Sequence, residues 1–492
     1  MGGVEQLVLV LDQGGHSTRA VVFDDSGAVV AQAAIAINTL IFQSGWIEQD
    51  PSELVASLRF VLDAIAEQLG EQRCQHVTSA ALIVQRSSLL VWDRLSRQAL
   101  SPVLSWQDTR NNAWLEKTLT ENHGSIRNII RNKTGLYPNG HYGASKMRWL
   151  LDNVTAIKEA ANHHTLCIAP LASFLQQQLT VQVATSTEPV VDAVIASRTM
   201  LTEAAALQWS PVLLDIFDVP LAVLPVIKPT LADYGAILIA NRLVSLRLLG
   251  GDQSFFALSH GILFDEKTVF INAGTGAFIQ QKMLPLSVPH KLLCTALCIG
   301  DSEENTAFVA EGTVNAAATA LDWLWQRVGC TFSGEDWVMA ARHAESDSTD
   351  VPYFINRITA SGSPDWLPAG ESFFSMDASV QLQAIAVLES IVFALQRNLD
   401  CLATVQPCEK IIVSGGLSKL DIFCQSLADL TKMPVWRSDD VEACARGAAM
   451  QLLPEAALLQ QAYYKFSPQN RMALQQRYER WTVVMNQLSV GR

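Results

Sequence analysis

Four short stretches of this 492-residue chain combine the residue types that phosphate and hydroxyl chemistry requires. In Asp12-Gln13-Gly14-Gly15-His16-Ser17-Thr18-Arg19, an acid precedes two glycines and a run of donors. Asp12 can hold Mg²⁺ through water, while Gly14 and Gly15 let main-chain amides approach phosphate oxygens. An ordinary polar hairpin turn would carry the same residues, and this stretch alone does not separate the two readings. Gly274-Thr275-Gly276 and Ser414-Gly415-Gly416 are further glycine turns after apolar runs, so the three begin to outline a nucleotide cleft. Neither a Walker GxxxxGK[ST] loop nor a GxGxxG fingerprint occurs. In Gly251-Asp252-Gln253, Asp252 can take the proton of a substrate hydroxyl as it attacks a γ-phosphate, a role worth about 10²- to 10⁴-fold. Composition alone favours the other reading, a cap for a helix starting near Ser254.

These residues need elements to hold them. Leu7 to Leu11 and Ala20 to Phe23 read as a hairpin around the first turn. Thr268 to Asn272 and Ala277 to Gln281 repeat that grammar around the second, pointing to a duplicated unit. Asp50-Pro51-Ser52-Glu53 opens a helix to about Leu69, with a capping acid, proline in the first turn and apolar spacing at Leu54, Leu58, Val61, Leu62 and Ile65. Val77 to Val84, Leu89 to Trp92 and Lys410 to Val413 read as buried strands. Lys146 to Leu151, Asn315 to Trp325 and Val380 to Ala403 read as helices, and the tail from Pro454, with Tyr463, Tyr464, Tyr478 and Trp481, as helix-rich. Helices alternating with short strands are α/β grammar. The recurrence places the division near Gly250, giving domains 1–250 and 251–492.

Composition bounds the function. Half the chain is apolar (49%) and 17% is charged, as in a globular protein of more than one domain. The net charge of −13 disfavours nucleic acid and anionic membrane as partners. Nine scattered cysteines without a CxxC pair exclude a disulfide framework or zinc module, and Cys294 and Cys298, spaced i, i+4 on a possible helix, read as core. His163-His164 lacks a third ligand at metal spacing, and Trp323 and Trp325 read as packing residues. The start reads as a strand rather than a signal peptide, and no apolar run reaches membrane-spanning length, so a cytoplasmic location is expected.

The same stretches, with others in order, resemble the FGGY carbohydrate kinases, with a pattern closest to its glycerol kinases. The resemblance runs through Gly45-Trp46-Ile47-Glu48-Gln49-Asp50-Pro51, Gln85-Arg86, Trp106-Gln107-Asp108 with Arg110, Lys133-Thr134-Gly135-Leu136, and Lys146 with Trp149. It continues through Ala196-Ser197-Arg198-Thr199, Gly251-Asp252-Gln253, Gly274-Thr275-Gly276 with Phe278, Leu388-Glu389-Ser390, Gly415-Gly416 and Arg446-Gly447-Ala448-Ala449. It implies two actin-like (ribonuclease H-like) domains with an interdomain catalytic cleft, ATP and Mg²⁺ as cofactors, a small polyol or sugar as substrate, and in many members a dimer or tetramer. Asp252 then matches the catalytic base and Asp12 the metal-associated acid. Arg86, Ser87, Trp106, His141, Asp252, Gln253 and Phe278 match substrate positions. Gly14, Gly15, His16, Ser17, Arg19, Gly274, Thr275, Gly276, Ala318, Gly415, Gly416 and Leu420 match nucleotide positions.

Departures cluster at the chemistry. Ser87 replaces a glutamate and His141 a tyrosine on the substrate side, which changes the hydroxyls that can be read. Gly15-His16 replaces a Thr-Thr pair, Ala318 a glycine, Asp322 a glutamine and Leu420 an asparagine on the nucleotide side. Two readings follow: a kinase of a small polyol or sugar with an altered pocket, or a weak or inactive homologue that senses a sugar or nucleotide.

Overall fold

The apolar run Leu7–Gln13 lies in the middle of a sheet because partners on both edges bury it completely apart from Asp12. It pairs antiparallel with Ser17–Phe23, which pairs antiparallel with Val29–Ala36. On its other edge it runs parallel to Val77–Val84, which runs parallel to Arg242–Gly251. Ala236–Ile239 and Thr180–Val181 complete the seven strands. In this computed structural model the described residues are 5–43, 45–121, 125–155, 157, 165–181, 188–204, 208–284, 288, 291–300, 306–346, 351–440, 442–453 and 462–490. The pair His163-His164 lies outside them.

One face of the sheet is covered by the helix Pro51–Cys74, which buries Leu54, Leu58, Val61, Leu62 and Ile65. Each such side chain contributes about 1.5–3 kcal/mol by leaving water. Asp50 caps it by accepting from the Ser52 N–H at 2.8 Å. The helix passes Leu69, its expected end, and continues across Gly70, whose φ of 68° absorbs the kink. On Val8, Val10 and Ile83 packs the helix Ala443–Met450, through Ala445, Ala448 and Ala449 together with Phe255. A five-stranded sheet of Leu40–Ile41, Ile47–Gln49, Val103–Leu104, Leu89–Asp93 and Leu166–Pro170 adjoins it in sequence and carries the Trp106 segment at its end.

The second sheet repeats the plan. Thr268–Ala273 pairs antiparallel with Ala277–Lys282, which pairs antiparallel with Ala307–Val314; its other edge runs parallel to Lys410–Ser414, itself parallel to Val435–Ser438. An antiparallel meander beside parallel strands, present twice, is the actin-like topology. Val380–Ala403, capped by Ser379, spans the residues its periodicity predicts.

Two compact units result, and they interleave in sequence. One comprises Met1–Gly261, Cys294–Phe308 and Glu442–Leu459; the other comprises Ile262–Leu293, Val309–Val441 and Gln460–Arg492. The first extends past residue 250 because Arg242–Gly251 belongs to its sheet and the following turn packs on Ala443–Met450.

Several expectations change. Tyr463 and Tyr464 lie on a strand, Tyr463–Phe466, that pairs with Val435–Ser438, and among the described residues of the tail the helix is Met472–Val490. Cys294 and Cys298 are buried on the strand Leu293–Cys298, not on a helix; i and i+4 share a face in either structure. The helix expected from Asn315 runs Ala318–Val328, because Ala317 has non-helical dihedrals (φ −100°, ψ −95°). Trp323 packs on Phe354 and Phe374, and Trp325 on Phe332 and Trp337.

Gly447 is held by contact rather than by dihedral: a Cβ there would lie 1.9 Å from the Phe255 carbonyl oxygen. Gly447→Ala is expected to cost about 2–3 kcal/mol or more in urea unfolding. Gly334→Ala, with nothing within 4 Å of the new carbon, is expected to be neutral or mildly stabilising.

Candidate active site

In the first unit, Val84 is opposite Gln13 on one neighbour and Gly251 on the other. The chain therefore leaves three adjacent parallel strands on one line, the edge where α/β sheets bind ligands. Asp12 sits at the end of the first strand, Arg86 just beyond the second and Asp252 just beyond the third.

Asp252 is partly buried and is the first residue of the turn Asp252–Phe255. Gly251 holds the cap position, so the capping reading of Asp252 fails; its Oδ1 accepts the Gln253 N–H at 2.7 Å. Burial raises its pKa, against the opposing charge of Arg86. Arg86 lies so close that a Cβ on Gly251 would stand 2.7 Å from its Cγ. Asp12 is raised to about 7, by burial first and then by the charge of Asp252. Its Oδ1 is buried without a hydrogen-bond partner among the described residues.

The first turn closes through Gly14 N–H to Ser17 O at 3.0 Å. Gly15 O accepts from Gln49 Nε2 (3.0 Å), and a Cβ on Gly15 would lie 3.6 Å from Trp106 Nε1. His16 is exposed, and Arg19 reaches Glu442 at 3.5 Å and Ser17 Oγ at 3.4 Å.

Ser87 has φ +66°, and its buried Oγ has no partner among the described residues. Its carbonyl accepts from Lys146 Nζ at 3.1 Å, and the Ser105 carbonyl accepts from the same ammonium at 3.0 Å. Ser88 Oγ accepts the Trp106 N–H at 2.9 Å. The His141 ring meets Trp106 edge-on at 5.5 Å. Burial, then Arg198, Lys146 and Arg86, hold its pKa well below the usual range, so it is a neutral imidazole at neutral pH. The structure thus brings Arg86, Ser87, Trp106, His141, Asp252 and Gln253 into one unit. Ser88 and Lys146 are clamps that residue types did not disclose as such; a lysine among Gly143, Ala144, Ser145 and Met147, all buried, was the available signal.

In the second unit, Gly274 N–H bonds to Gly276 O at 2.9 Å, and the turn's carbonyls receive the start of the next helix: Ala318 N–H on Gly274 O (3.0 Å) and Ala317 N–H on Thr275 O (2.9 Å). Thr275 stays exposed. Gly415 has φ +89°, and a Cβ there would strike Ala273 O at 2.6 Å, whereas Gly416 is open. Phe278 is partly exposed opposite Asn272. Leu420 precedes the helix Asp421–Thr431 and packs against the core.

Among the described residues no group of three or more His, Cys, Asp or Glu could hold a metal. The unpartnered Asp12 oxygen fits a hydrated Mg²⁺ that takes its remaining ligands from water and phosphate. No helix among the described residues is long and apolar enough to cross a membrane.

Two actin-like (ribonuclease H-like) domains bearing paired glycine turns define a two-domain kinase fold, and the comparisons make the assignment narrower. Residues 7–244 match the N-terminal domain of the FGGY family of carbohydrate kinases, and residues 269–453 match its C-terminal domain. The chain belongs to the FGGY family of carbohydrate kinases and is a phosphotransferase. It is 30% identical over 453 residues to a glycerol kinase of Shewanella frigidimarina, covering 91% of this chain and 88% of that one. It is 29% identical over 493 residues to a glycerol kinase of Alkalilimnicola ehrlichii, covering 97% of each. Its fold is similar to that of Plasmodium falciparum glycerol kinase with ADP (TM-score 0.85, 20% identity, 99% of each chain). It is also similar to ligand-bound xylulose kinase from Lactobacillus acidophilus (TM-score 0.82, 18% identity, 98% of each chain).

Lys146 is fully buried with its pKa lowered to about 7, by burial first, then by Arg110 against Asp108. Because the unfolded chain binds this proton up to about pH 10, the folded state gains stability as pH rises above 7. Relative to Lys146→Met, the wild type is expected to gain about 2 kcal/mol between pH 7 and 9 in urea unfolding. A difference that stays flat with pH counts against a buried, shifted lysine.

Proposed function

We propose that this chain transfers the γ-phosphoryl group of ATP to a hydroxyl of a small polyol or sugar, with Asp252 as the general base. The observation that carries the reading is Asp252 at the end of Arg242–Gly251, beside Arg86, with its pKa raised toward the range useful for accepting a proton. The relatives named for glycerol and xylulose support a polyhydroxy acceptor.

The residues divide the work. Asp252 takes the hydroxyl proton onto its carboxylate as the new O–P bond forms and the bond from the γ-phosphorus to the bridging oxygen breaks, ADP leaving with that oxygen. Arg86, its stem packed on Gly251, offsets the carboxylate charge and orients the acceptor. Trp106 walls the acceptor on the first unit, while Ser87 Oγ, Gln253 and neutral His141 pair with its hydroxyls. A buried hydroxyl left without a partner discriminates strongly among acceptors, so Ser87 reads the substrate hydroxyl that fills it. Gly14, Gly15, His16, Ser17 and Arg19 in the first unit, with Gly274, Thr275 and Gly276 in the second, receive phosphate. Gly415, Gly416, Ala318 and Leu420 border the nucleoside. Asp12 would hold Mg²⁺ through water, and the bound ion supplies charge neutralisation on the β- and γ-phosphates.

An ADP-release assay with MgATP against glycerol, erythritol, ribitol, xylulose, ribulose and gluconate is expected to give one strong acceptor. Asp252→Asn is expected to lower kcat about 10²- to 10⁴-fold with little change in the acceptor KM. The base works deprotonated, so kcat/KM rises with pH through its pKa. That acid limb is expected above the ordinary aspartate range and absent in the variant. Silence across the panel without a thermal shift from MgATP favours the non-catalytic sensor.

A further inference from the structure

A cavity of about 350 Å³ lies inside the second unit, lined by none of the residues assigned above. It is bordered by the helices Gly334–Ser346, Val380–Ala403 and Asp421–Thr431 and by the first turn of Met472–Val490. Its volume is many times that of one water and falls at the lower end of small-molecule sites. Ala344, Ile385, Leu388 and Ile422 give it an apolar wall.

Arg477 also lines it and is only 4% exposed. Nε and Nη2 bond to the two oxygens of Glu389 at 2.7 and 2.5 Å. Nη1 is buried and has no hydrogen-bond partner among the described residues. A buried charged donor without an acceptor is a standing cost, and since Arg477 lines the cavity, a small turn of its side chain that presents Nη1 to a ligand oxygen would remove it. Met472, Ala473 and Leu474 lie on the same cavity at the start of a 19-residue helix. The N–H groups of a first turn have no partner within the helix and carry its positive end. Arg477 and the first turn of the helix therefore border one apolar-walled space, while the carboxylate of Glu389 already has both oxygens engaged.

We propose that this cavity binds a small organic oxyanion, a carboxylate or phosphate ester with a short apolar body, held by Arg477 Nη1 and the first-turn amides of the helix Met472–Val490. The inference stands apart from the catalytic reading and needs no turnover to test. The full-length protein is titrated calorimetrically with n-butyl phosphate and with pentanoate, saturating MgADP being present to occupy other phosphate positions. One of the two is expected to bind with a Kd of about 1 mM or tighter, and which one identifies the head group. Ala344→Phe narrows the cavity without touching Arg477 and is expected to weaken that binding at least about tenfold. Arg477→Gln is expected to do the same; should loss of the Glu389 pair prevent its folding, Ala344→Phe, verified by thermal melting, decides alone. Binding of neither probe, or affinity unchanged in folded Ala344→Phe, overturns the proposal.

Discussion

The register of three parallel strands governs the placement of Asp12, Arg86 and Asp252 in this protein. With Val84 opposite both Gln13 and Gly251, the three strands end together and the residues that follow them emerge at one edge. A slip of one residue in any strand would turn its side chains to the other face, removing Asp12 or redirecting Asp252. The register is held by burial on both faces, the helix Pro51–Cys74 on one and the alanine face of Ala443–Met450 on the other. The second contact explains why small residues recur near Asp252. Gly250 leaves room for the Phe255 ring, Gly251 for the stem of Arg86, and Gly447 for the Phe255 carbonyl. A segment almost two hundred residues later in the chain therefore fixes the turn that carries Asp252.

The two hairpins share a topology but not a chemistry. Asp12 stands two residues before the first glycine of its turn, and Asn272 holds the same place in the second. One turn thus brings a carboxylate with an unpaired oxygen, suited to a hydrated cation; the other brings a neutral amide and an exposed threonine hydroxyl, suited to an anion. The second turn is also held by main chain, the first amides of Ala318–Val328 closing on its carbonyls, whereas side chains of Gln49 and Thr39 hold Gly15 O in the first. The two sheets repeat one scaffold, and the acid-for-amide difference between Asp12 and Asn272 is among those that separate the roles proposed for the two turns.

Local pattern carried much of the fold. Val77–Val84 and Val380–Ala403 have the bounds that their apolar runs and periodicity predict, and Asp50 caps where a capping acid was expected. Long-range partnership was not legible. Nothing in the residues from Glu442 announces that they rejoin the first unit, since an alanine-rich helix declares only that it packs closely. Tyr463 and Tyr464 read as helical because aromatic residues suit either state, and the exposed edge of Val435–Ser438 decided the outcome. In the site, Asp12, Arg86 and Asp252 were visible by type and order. The clamp of Lys146 on two carbonyls was not, because it depends on main-chain atoms that any sequence possesses.

The charges under the acceptor side show what such a clamp achieves. Arg110 is buried, with Asp108 at 2.8 Å and Glu48 at 2.6 Å, and the rings of Trp46 and Trp149 lie 4.4 and 4.8 Å from its guanidinium carbon. An apolar cluster of the same volume would often be as stable as buried ion pairs, so stability is a weak account of the arrangement. Position is a better one. Asp108 Oδ2 accepts the Ile47 N–H at 2.7 Å, joining the strand Ile47–Gln49 to the Trp106 segment, and Gln49 continues to Gly15 O in the first glycine turn. Lys146 ties the carbonyl of Ser105, just before Trp106, to that of Ser87, just after Arg86. Each of these bonds is directional and would be lost in an apolar cluster, where side chains slide. Planar guanidinium geometry fits both the bidentate carboxylate and the ring faces, which an ammonium in the place of Arg110 would not. Buried charge here sets the distances between the main-chain segments that carry Ile47, Ser87 and Ser105.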